Sequence, residues 1–269
     1  METSASRTTE QGLRRMALFN VEQSLQRCDR HGEYKAYSIK GHVSGCPTCI
    51  KEQQEREASE AHAKWLVELR QRRASELLGR AAIPPRFADR TLANFLPHAE
   101  GPSMALEIAR DFADHFRDHL TTGRSLVFCG GVGAGKTHLA VGICQEVIKQ
   151  DLVAVFSSVL AAVRSIKDTY RKGSELTEAE AIQNLVEPDL LVLDEVGVQF
   201  GSDTEKMYLF EVINGRYQEL KPTIVISNLA IEPLKNYLGE RVIDRLREGG
   251  GRMVVFDWPS YRRAAGQGD

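Results

Sequence analysis

No apolar run in these 269 residues approaches the roughly 18 to 20 needed to cross a bilayer. The opening METSASRTTEQGLRRM has none of the apolar character of a secretory signal. The expectation is a cytoplasmic protein with no membrane partner. A surplus of one charge is also missing: the formal net charge is -2, so any contact with nucleic acid has to come from a local patch. Cysteine is scarce, and its five positions are 28, 46, 49, 129 and 144. An odd number with three clustered argues against a disulfide framework and for metal ligation. Neither internal repeats nor low-complexity tracts occur. What is present, 42% hydrophobic and 27% charged residues, suits a globular chain with a real core.

Composition divides the chain into five parts. Residues 1–20 are polar and expected to be flexible, and residues 21–50 hold a Cys/His cluster. Residues 51–80 favour a linking helix, with Trp65, Leu66 and Leu69 as a modest apolar stripe. Pro84, Pro85, Pro97 and Pro102 then break helix repeatedly, which places a domain boundary in or just before that stretch. From there the pattern reads as a core over 81–263 and a flexible tail over 264–269. Ala105, Ala109, Phe112, Phe116 and Leu120 recur at helical spacing. The segments SLVFCG, LVAVFS, DLLVLDE, TIVISN and MVVFDW follow, most of them separated by helical patterns. Apolar strands alternating with helices predict an α/β fold with a five-stranded parallel sheet covered on both faces.

GGVGAGKT spans Gly130, Gly131, Val132, Gly133, Ala134, Gly135, Lys136 and Thr137, between a predicted strand and a predicted helix that opens through His138. That context makes the pattern a P-loop. Glycines let backbone amides turn onto phosphates, Lys136 reaches the β/γ-phosphates, and Thr137 offers its hydroxyl to Mg²⁺. ATP and Mg²⁺ are the expected cofactors, with the whole run to His138 as the ATP-binding set. LLVLDE delivers Asp194 and Glu195 to the carboxyl end of a buried strand, where ligands bind in open sheets. Asp194 is expected on Mg²⁺ and Glu195 on the attacking water. TIVISN ends another strand at Asn228, expected to face the γ-phosphate or that water.

CDRH and CPTC place Cys28, His31, Cys46 and Cys49 as two knuckles separated by fourteen residues. Two ligands from each close a tetrahedron around Zn²⁺, and four protein ligands make a structural site. His42, inside the intervening segment, is a spare candidate set aside for its position in an expected hairpin. Cys129 and Cys144 fall in the apolar core pattern and are expected to pack. SVLAAVRSIKDTYRKGSE carries Arg164, Lys167, Arg171 and Lys172, with Tyr170 among them, spaced as one helix surface. Basic side chains there would follow phosphates and the ring would stack on a base.

GGVGAGKT, DLLVLDEVGVQ, TIVISN and LGERVIDRLR, in this order, resemble a DnaC-type helicase loader of the AAA+ superfamily. IPPRFADRTLANF ahead of the core and WPSYR behind it are similar to that family too, and the likeness covers roughly residues 80–263. The resemblance implies an AAA+ core without a C-terminal helical lid and an ATPase stimulated by DNA or partner. It also implies delivery of a hexameric replicative helicase of the DnaB type onto single-stranded DNA. It places an arginine finger at Arg245, with Arg241 the alternative, acting on a neighbour's nucleotide through self-association. Arg247 is expected to pair with Asp244. The short tail leaves Arg262 as a weak substitute for the usual lid arginine. A transposase-assisting DNA-binding AAA+ ATPase shares much of this core and is the alternative reading. Some helicase loaders resemble this chain in having an N-terminal zinc module that engages the helicase, which favours the loader.

Overall fold

The computed structural model describes residues 22–77, 83–197 and 202–261, and the chain falls into two compact units, residues 1–65 and 66–269. The tails expected to be flexible, 1–20 and 264–269, and Arg262 lie outside the described residues.

In the first unit β1 (Glu22–Cys28) pairs antiparallel with β2 (Gly32–Ile39), with Cys28 opposite Gly32. A turn through Lys40 and Gly41, both left-handed at φ 53° and 83°, returns β2 into β3 (His42–Val43). The expected hairpin is therefore present, and β1 adds a strand ahead of it. Among the described residues of this unit, Ala36 and Cys46 are the buried apolar positions. Full burial of a large apolar side chain contributes about 1.5–3 kcal/mol. So small a core cannot offset the entropy of ordering the sheet, and such a module needs another cross-link.

Helix α1 (Pro47–Leu77) begins inside the second knuckle, ahead of the expected 51–80 span. Proline suits the first helical turn because its missing N–H has no partner there anyway. Cys49 consequently rides on that turn. Trp65, Leu66 and Leu69 are exposed, and the division between the two units falls within this helix.

The second unit contains the five expected strands: β4 (Leu126–Gly130), β5 (Ala154–Ser158), β6 (Leu190–Asp194), β7 (Thr223–Ser227) and β8 (Arg252–Phe256). All neighbours pair in parallel, in the order β5-β6-β7-β4-β8. Alternation along each strand builds two cores. Leu126, Phe128, Val192, Ile224 and Phe256 face one layer, with α2 (Glu100–Asp114) and α4 (Lys136–Lys149). Val127, Cys129, Leu191, Leu193 and Val225 face the other, with α5 (Val159–Lys167), α6 (Glu178–Val186) and α7 (Asp203–Gln218). Helices α8 (Ile231–Leu238) and α9 (Glu240–Arg247) complete that layer. Cys129 and Cys144 are buried core residues as expected, and burial pushes the Cys144 thiol up to about 12.

The single helix suggested by the 105–120 periodicity is two. The chain leaves helical geometry at His115 (φ -101°, ψ 21°), between α2 and α3 (Phe116–Thr122). The apolar rows on both sides still fit one core, which is why spacing alone did not reveal the break. Arg216 on α7 is fully buried, and its guanidinium donates to Thr223 Oγ1 and to the Leu185, Val186, Pro188 and Pro222 carbonyls. It thereby satisfies the last carbonyls of α6 and ties them to the start of β7. Burial holds its pKa down at about 9. Among the described residues no helical bundle follows β8.

Candidate functional site

Strands β4, β5 and β6 each run through four buried residues and end half-buried, at Gly130, Ser158 and Asp194. The ends of β5 and β6 and the loop that follows β4 open onto one cavity of about 610 Å³, within the range of small-molecule and cofactor sites. The P-loop forms its floor. Gly130 and Gly135 have φ of 121° and 99°, and a Cβ on Gly135 would lie 2.7 Å from the Phe95 ring. Only glycine serves at both positions. Gly135 leads directly into α4, so the loop amides and the helix N-terminus converge on the cavity.

Lys136 is buried, and its ammonium donates to the Gly130 and Gly131 carbonyls at 2.9 and 2.6 Å. Burial lowers its pKa, opposed by the charge of Asp194. Thr137 Oγ1 donates to Asp194 Oδ2 at 3.0 Å. Burial raises the Asp194 pKa, opposed by the Glu195 amide and Thr137 hydroxyl that donate to it. A hydroxyl and a carboxylate side by side at the P-loop are the donors a hard divalent cation takes, so Mg²⁺ fits Thr137 and Asp194. Glu195 is exposed in a left-handed backbone (φ 64°), and its N–H donates to Asp194 Oδ1 at 2.7 Å. Asn228, one residue past β7, lines the same cavity.

His138 lines the cavity as well, but its Nε2 meets the Thr91 carbonyl and Asn94 Oδ1, each at 2.9 Å. Its ring packs edge-on to Phe95 at 5.2 Å. Its role is to pin the preceding segment over the P-loop. That segment, with Phe87, Phe95 and His98, and the stretch after β8, with Trp258 and Tyr261, form the remaining walls. From the residues alone the first stretch reads as a helix-breaking connector and the second only as part of a family resemblance, and nothing in their spacing marked either as cavity wall.

The family described as IstB-like ATP binding protein matches residues 63–250. The chain belongs to this family. It is 34% identical over 183 residues to the replicative helicase loader DnaC of Escherichia coli K12, covering 68% of this chain and 73% of that protein. The DnaC of Buchnera aphidicola subsp. Schizaphis graminum is 32% identical over 198 residues, covering 72% of this chain and 79% of that one. A crystal structure of the DnaC helicase loader superposes with a TM-score of 0.57 at 25% identity, covering 64% of this chain and 98% of that one. AMPPCP-bound DnaA from Aquifex aeolicus superposes at 0.53 and 25%, covering 65% and 51%. The core is thus an AAA+ fold of the IstB/DnaC type.

In this IstB-like core the remaining expected residues fall in two places. Arg245, on α9, does not line the cavity. Its guanidinium lies over the Phe210 ring at 5.1 Å and the Tyr217 ring at 5.5 Å, and its Nη1 is shielded without a hydrogen-bond partner. Arg241 and Arg247 are exposed. Arg247 forms no ion pair with Asp244 among the described residues, correcting that expectation; two solvated side chains gain too little from pairing. The basic segment is not one helical surface. Arg164 and Lys167 are exposed on α5, a 3₁₀ turn holds Tyr170, and Arg171 continues extended and pairs with Asp168 at 3.1 Å. Lys172 follows, exposed, beyond the helix. The Tyr170 hydroxyl is hydrogen-bonded to Tyr208 and Glu178, while its ring remains exposed.

In the first unit the ligand atoms of Cys28, His31, Cys46 and Cys49 lie within 4.8 Å of one another. Cys28 Sγ is 3.6 Å from Cys49 Sγ, and His31 Nδ1 is 3.2 to 3.7 Å from the three sulfurs. A tetrahedron with metal–sulfur bonds of about 2.3 Å has edges of roughly 3.5–3.8 Å, so the set fits Zn²⁺. The electrostatics also call for a cation. Amides of Arg30 and His31 lower the Cys28 thiol to about 6, while Cys49, hydrogen-bonded to Cys28, is pushed up to about 11. Three clustered sulfurs cannot all ionise unless a metal neutralises them. His31 Nε2 lies 3.1 Å from Glu52 Oε1, a partner that fixes ring orientation around a metal. Glu52 was missed from sequence, although it follows Cys49 by one helical turn and so shares its face. His42 is exposed on β3 and outside the cluster, as expected.

Proposed function

We propose that this chain is an ATP-dependent helicase loader that engages a hexameric replicative helicase and single-stranded DNA to place the helicase at origins or forks. The observation that carries this reading is that Lys136, Thr137, Asp194, Glu195 and Asn228 meet at one cavity, while Arg245, the expected finger, stands apart from it on α9. That division suits an ATPase completed by a neighbouring copy. The identity with replicative helicase loaders over most of the chain supports the substrate class. In this reading Lys136 and the P-loop amides hold the phosphates, and Glu195 and Asn228 orient the attacking water. Mg²⁺, when bound, supplies positive charge to the phosphate oxygens, with Thr137 and Asp194 as its protein partners. Arg245 reaches a neighbour's nucleotide; Arg164, Lys167, Tyr170, Arg171 and Lys172 meet the DNA.

We assign residues 21–50 as the zinc module, 51–80 as the linking helix and 81–263 as the ATPase core, acting in the cytoplasm. The alternative, an ATPase that assists a transposase, keeps the same core and shares the family. Purification of the full chain from its host separates the two. A replicative helicase retained in an ATP-dependent complex supports the loader, and a transposase retained in its place overturns it.

A further inference from the structure

The small sheet of the first unit has an outer face that the zinc chemistry leaves unexplained. Side chains directly opposite one another in an antiparallel pair share a face. Leu25 of β1 therefore stands beside Lys35 of β2, and Arg27 beside Glu33. Alternation along β2 adds Tyr37 and Ile39 to the same side. All six residues are exposed. Cys28 belongs to the opposite side, where β2 places the half-buried Tyr34 and the buried Ala36. The unit thus packs its small core on the side of the zinc ligands and leaves Leu25, Tyr37 and Ile39 uncovered on the other. So small a core would gain from burying three more large apolar side chains. Grouped on one face instead, they mark a contact surface.

The charges on this face narrow what can cover it. Lys35 lies opposite Leu25 and next to Tyr37 along the face, and Arg27 follows Leu25 by two residues. Neither cation forms an ion pair with a described residue. Any partner that covers the apolar side chains therefore covers two cations as well. A protein with an apolar contact surface would strip both of water without replacing it, and the centres of protein interfaces are depleted of charge for that reason. A single nucleic-acid strand meets both demands. Its phosphates pair with Arg27 and Lys35, and an unpaired base stacks on Tyr37 with Leu25 and Ile39 beside it. A duplex does not, because its bases are already stacked on one another. We propose that the outer face of the β1–β2 sheet is a second site for single-stranded DNA, with Tyr37 as the stacking ring and Arg27 and Lys35 on the phosphates. Glu33, opposite Arg27, repels phosphate and bounds the site. The choice of DNA over RNA rests on the loader reading; the face itself needs neither nucleotide nor helicase.

The test measures binding of a fluorescent oligothymidylate to the full chain without nucleotide, across a salt series. Tyr37→Ala, Tyr37→Phe and Lys35→Gln are each made alone and together with Tyr170→Ala, so that the face is read apart from the core. Tyr37→Ala is expected to weaken binding about tenfold in both backgrounds, and Tyr37→Phe to restore it. Lys35→Gln is expected to flatten the slope of log affinity against log salt by about 0.7, the share of one phosphate contact on a single strand. An oligothymidylate carrying iododeoxyuridine is expected to cross-link, on illumination, to the wild-type peptide that contains Tyr37. Metal analysis of each variant checks that the module keeps its zinc; where a variant loses it, the wild-type cross-link decides. Unchanged affinity and slope overturn the proposal, as does an equal loss in Tyr37→Ala and Tyr37→Phe, which would mark a hydroxyl contact in place of stacking. Retention of a helicase that depends on Tyr37 while DNA binding does not would overturn it in favour of a protein partner. Tyr37-dependent binding of oligouridylate tighter than of oligothymidylate would overturn the choice of DNA. The core's DNA contact fails separately, by an unchanged affinity in Tyr170→Ala alone.

Discussion

The Thr137 hydroxyl donates to the Asp194 carboxylate across 3.0 Å, joining the first turn of α4 to the carboxyl end of β6. The two residues are far apart in sequence and come from separate motifs. Their contact makes the P-loop and the acidic strand end one site. Lys136 beside them donates to loop carbonyls, lies over the Phe256 ring at 5.9 Å and feels the charge of Asp194. Lys136→Ala is therefore expected to lower ATP hydrolysis at least a hundredfold and to weaken nucleotide binding. Loss of two hydrogen bonds costs about 1–3 kcal/mol of stability, so the variant still folds. Phosphate release and a urea melt on one preparation check both halves; unaltered turnover would remove the P-loop assignment.

Glu195 couples activity to strain. Its left-handed backbone is one that side chains other than glycine rarely adopt, at a cost of order 1–3 kcal/mol. Glu195→Gly relieves that cost while losing some unfolded-state freedom, and is expected to stabilise the core by about 1 kcal/mol. Glu195→Gln keeps the strain and leaves stability as it is. Both are expected to lose hydrolysis about a hundredfold or more, because neither holds the water as a carboxylate does. A glycine variant as active as wild type would refute the water-orienting role.

The zinc assignment extends to Glu52. Metal analysis of the full chain is expected to give one zinc, lost in Cys46→Ser or Cys49→Ser. Glu52→Ala removes the carboxylate at His31 Nε2 and is expected to lower zinc affinity about 10–100-fold in a chelator competition. Full retention in Glu52→Ala would reduce that contact to a surface ion pair with Arg30, which lies 3.2 Å from Glu52.

All five core strands are where apolar runs placed them; four of the runs are buried nearly throughout, because a parallel sheet covered on both faces leaves no polar alternation to mislead, and only the edge strand β8 alternates. The P-loop, Asp194 and Asn228 were legible for a related reason: each sits at the carboxyl end of such a run. His115, Glu52 and Trp258 were not. A helix break that preserves the apolar rows has no periodic signature. A second-layer carboxylate is one more Glu in a Glu-rich helix. Trp258 Nε1 and the Tyr261 amide donate to the Ala134 and Gly133 carbonyls of the P-loop, which any residue offers. The basic segment misled for another reason: its spacing fits a helix to Lys172, whereas the chain turns at Asp168–Tyr170, where Tyr170 bonds to Tyr208 and Glu178.

That turn separates two roles of Tyr170. The residue is 63% exposed while its hydroxyl is engaged. Tyr170→Phe keeps the ring and is expected to retain single-strand binding, whereas Tyr170→Ala is expected to weaken it by about 1–3 kcal/mol with little change for duplex. Fluorescence anisotropy with both DNA forms measures this. Equal affinity in wild type and Tyr170→Ala would leave the residue a structural clasp only.

The arginines of α9 pose the last question, because like charges one turn apart repel unless something outside the helix uses them. Arg241 is solvated. Arg245 is held against Phe210 and Tyr217, and Tyr217 is itself anchored by its hydroxyl to Glu248 Oε2 at 2.7 Å. A guanidinium stacked on two rings with a shielded, unpartnered Nη1 carries an unmet donor. An acceptor brought by a second copy of the chain would meet it, and a γ-phosphate is such an acceptor. Arg245→Ala is expected to leave ATP binding within about twofold of wild type and to lower DNA-stimulated hydrolysis about a thousandfold. Mixing it with Lys136→Ala is expected to recover part of the activity, since an intact cavity can then face an intact arginine. Arg241→Ala is expected to change hydrolysis little. If the two variants co-assemble by light scattering and their mixture stays inactive, Arg245 does not act across an interface, and its stacked guanidinium serves the fold of α7 and α9.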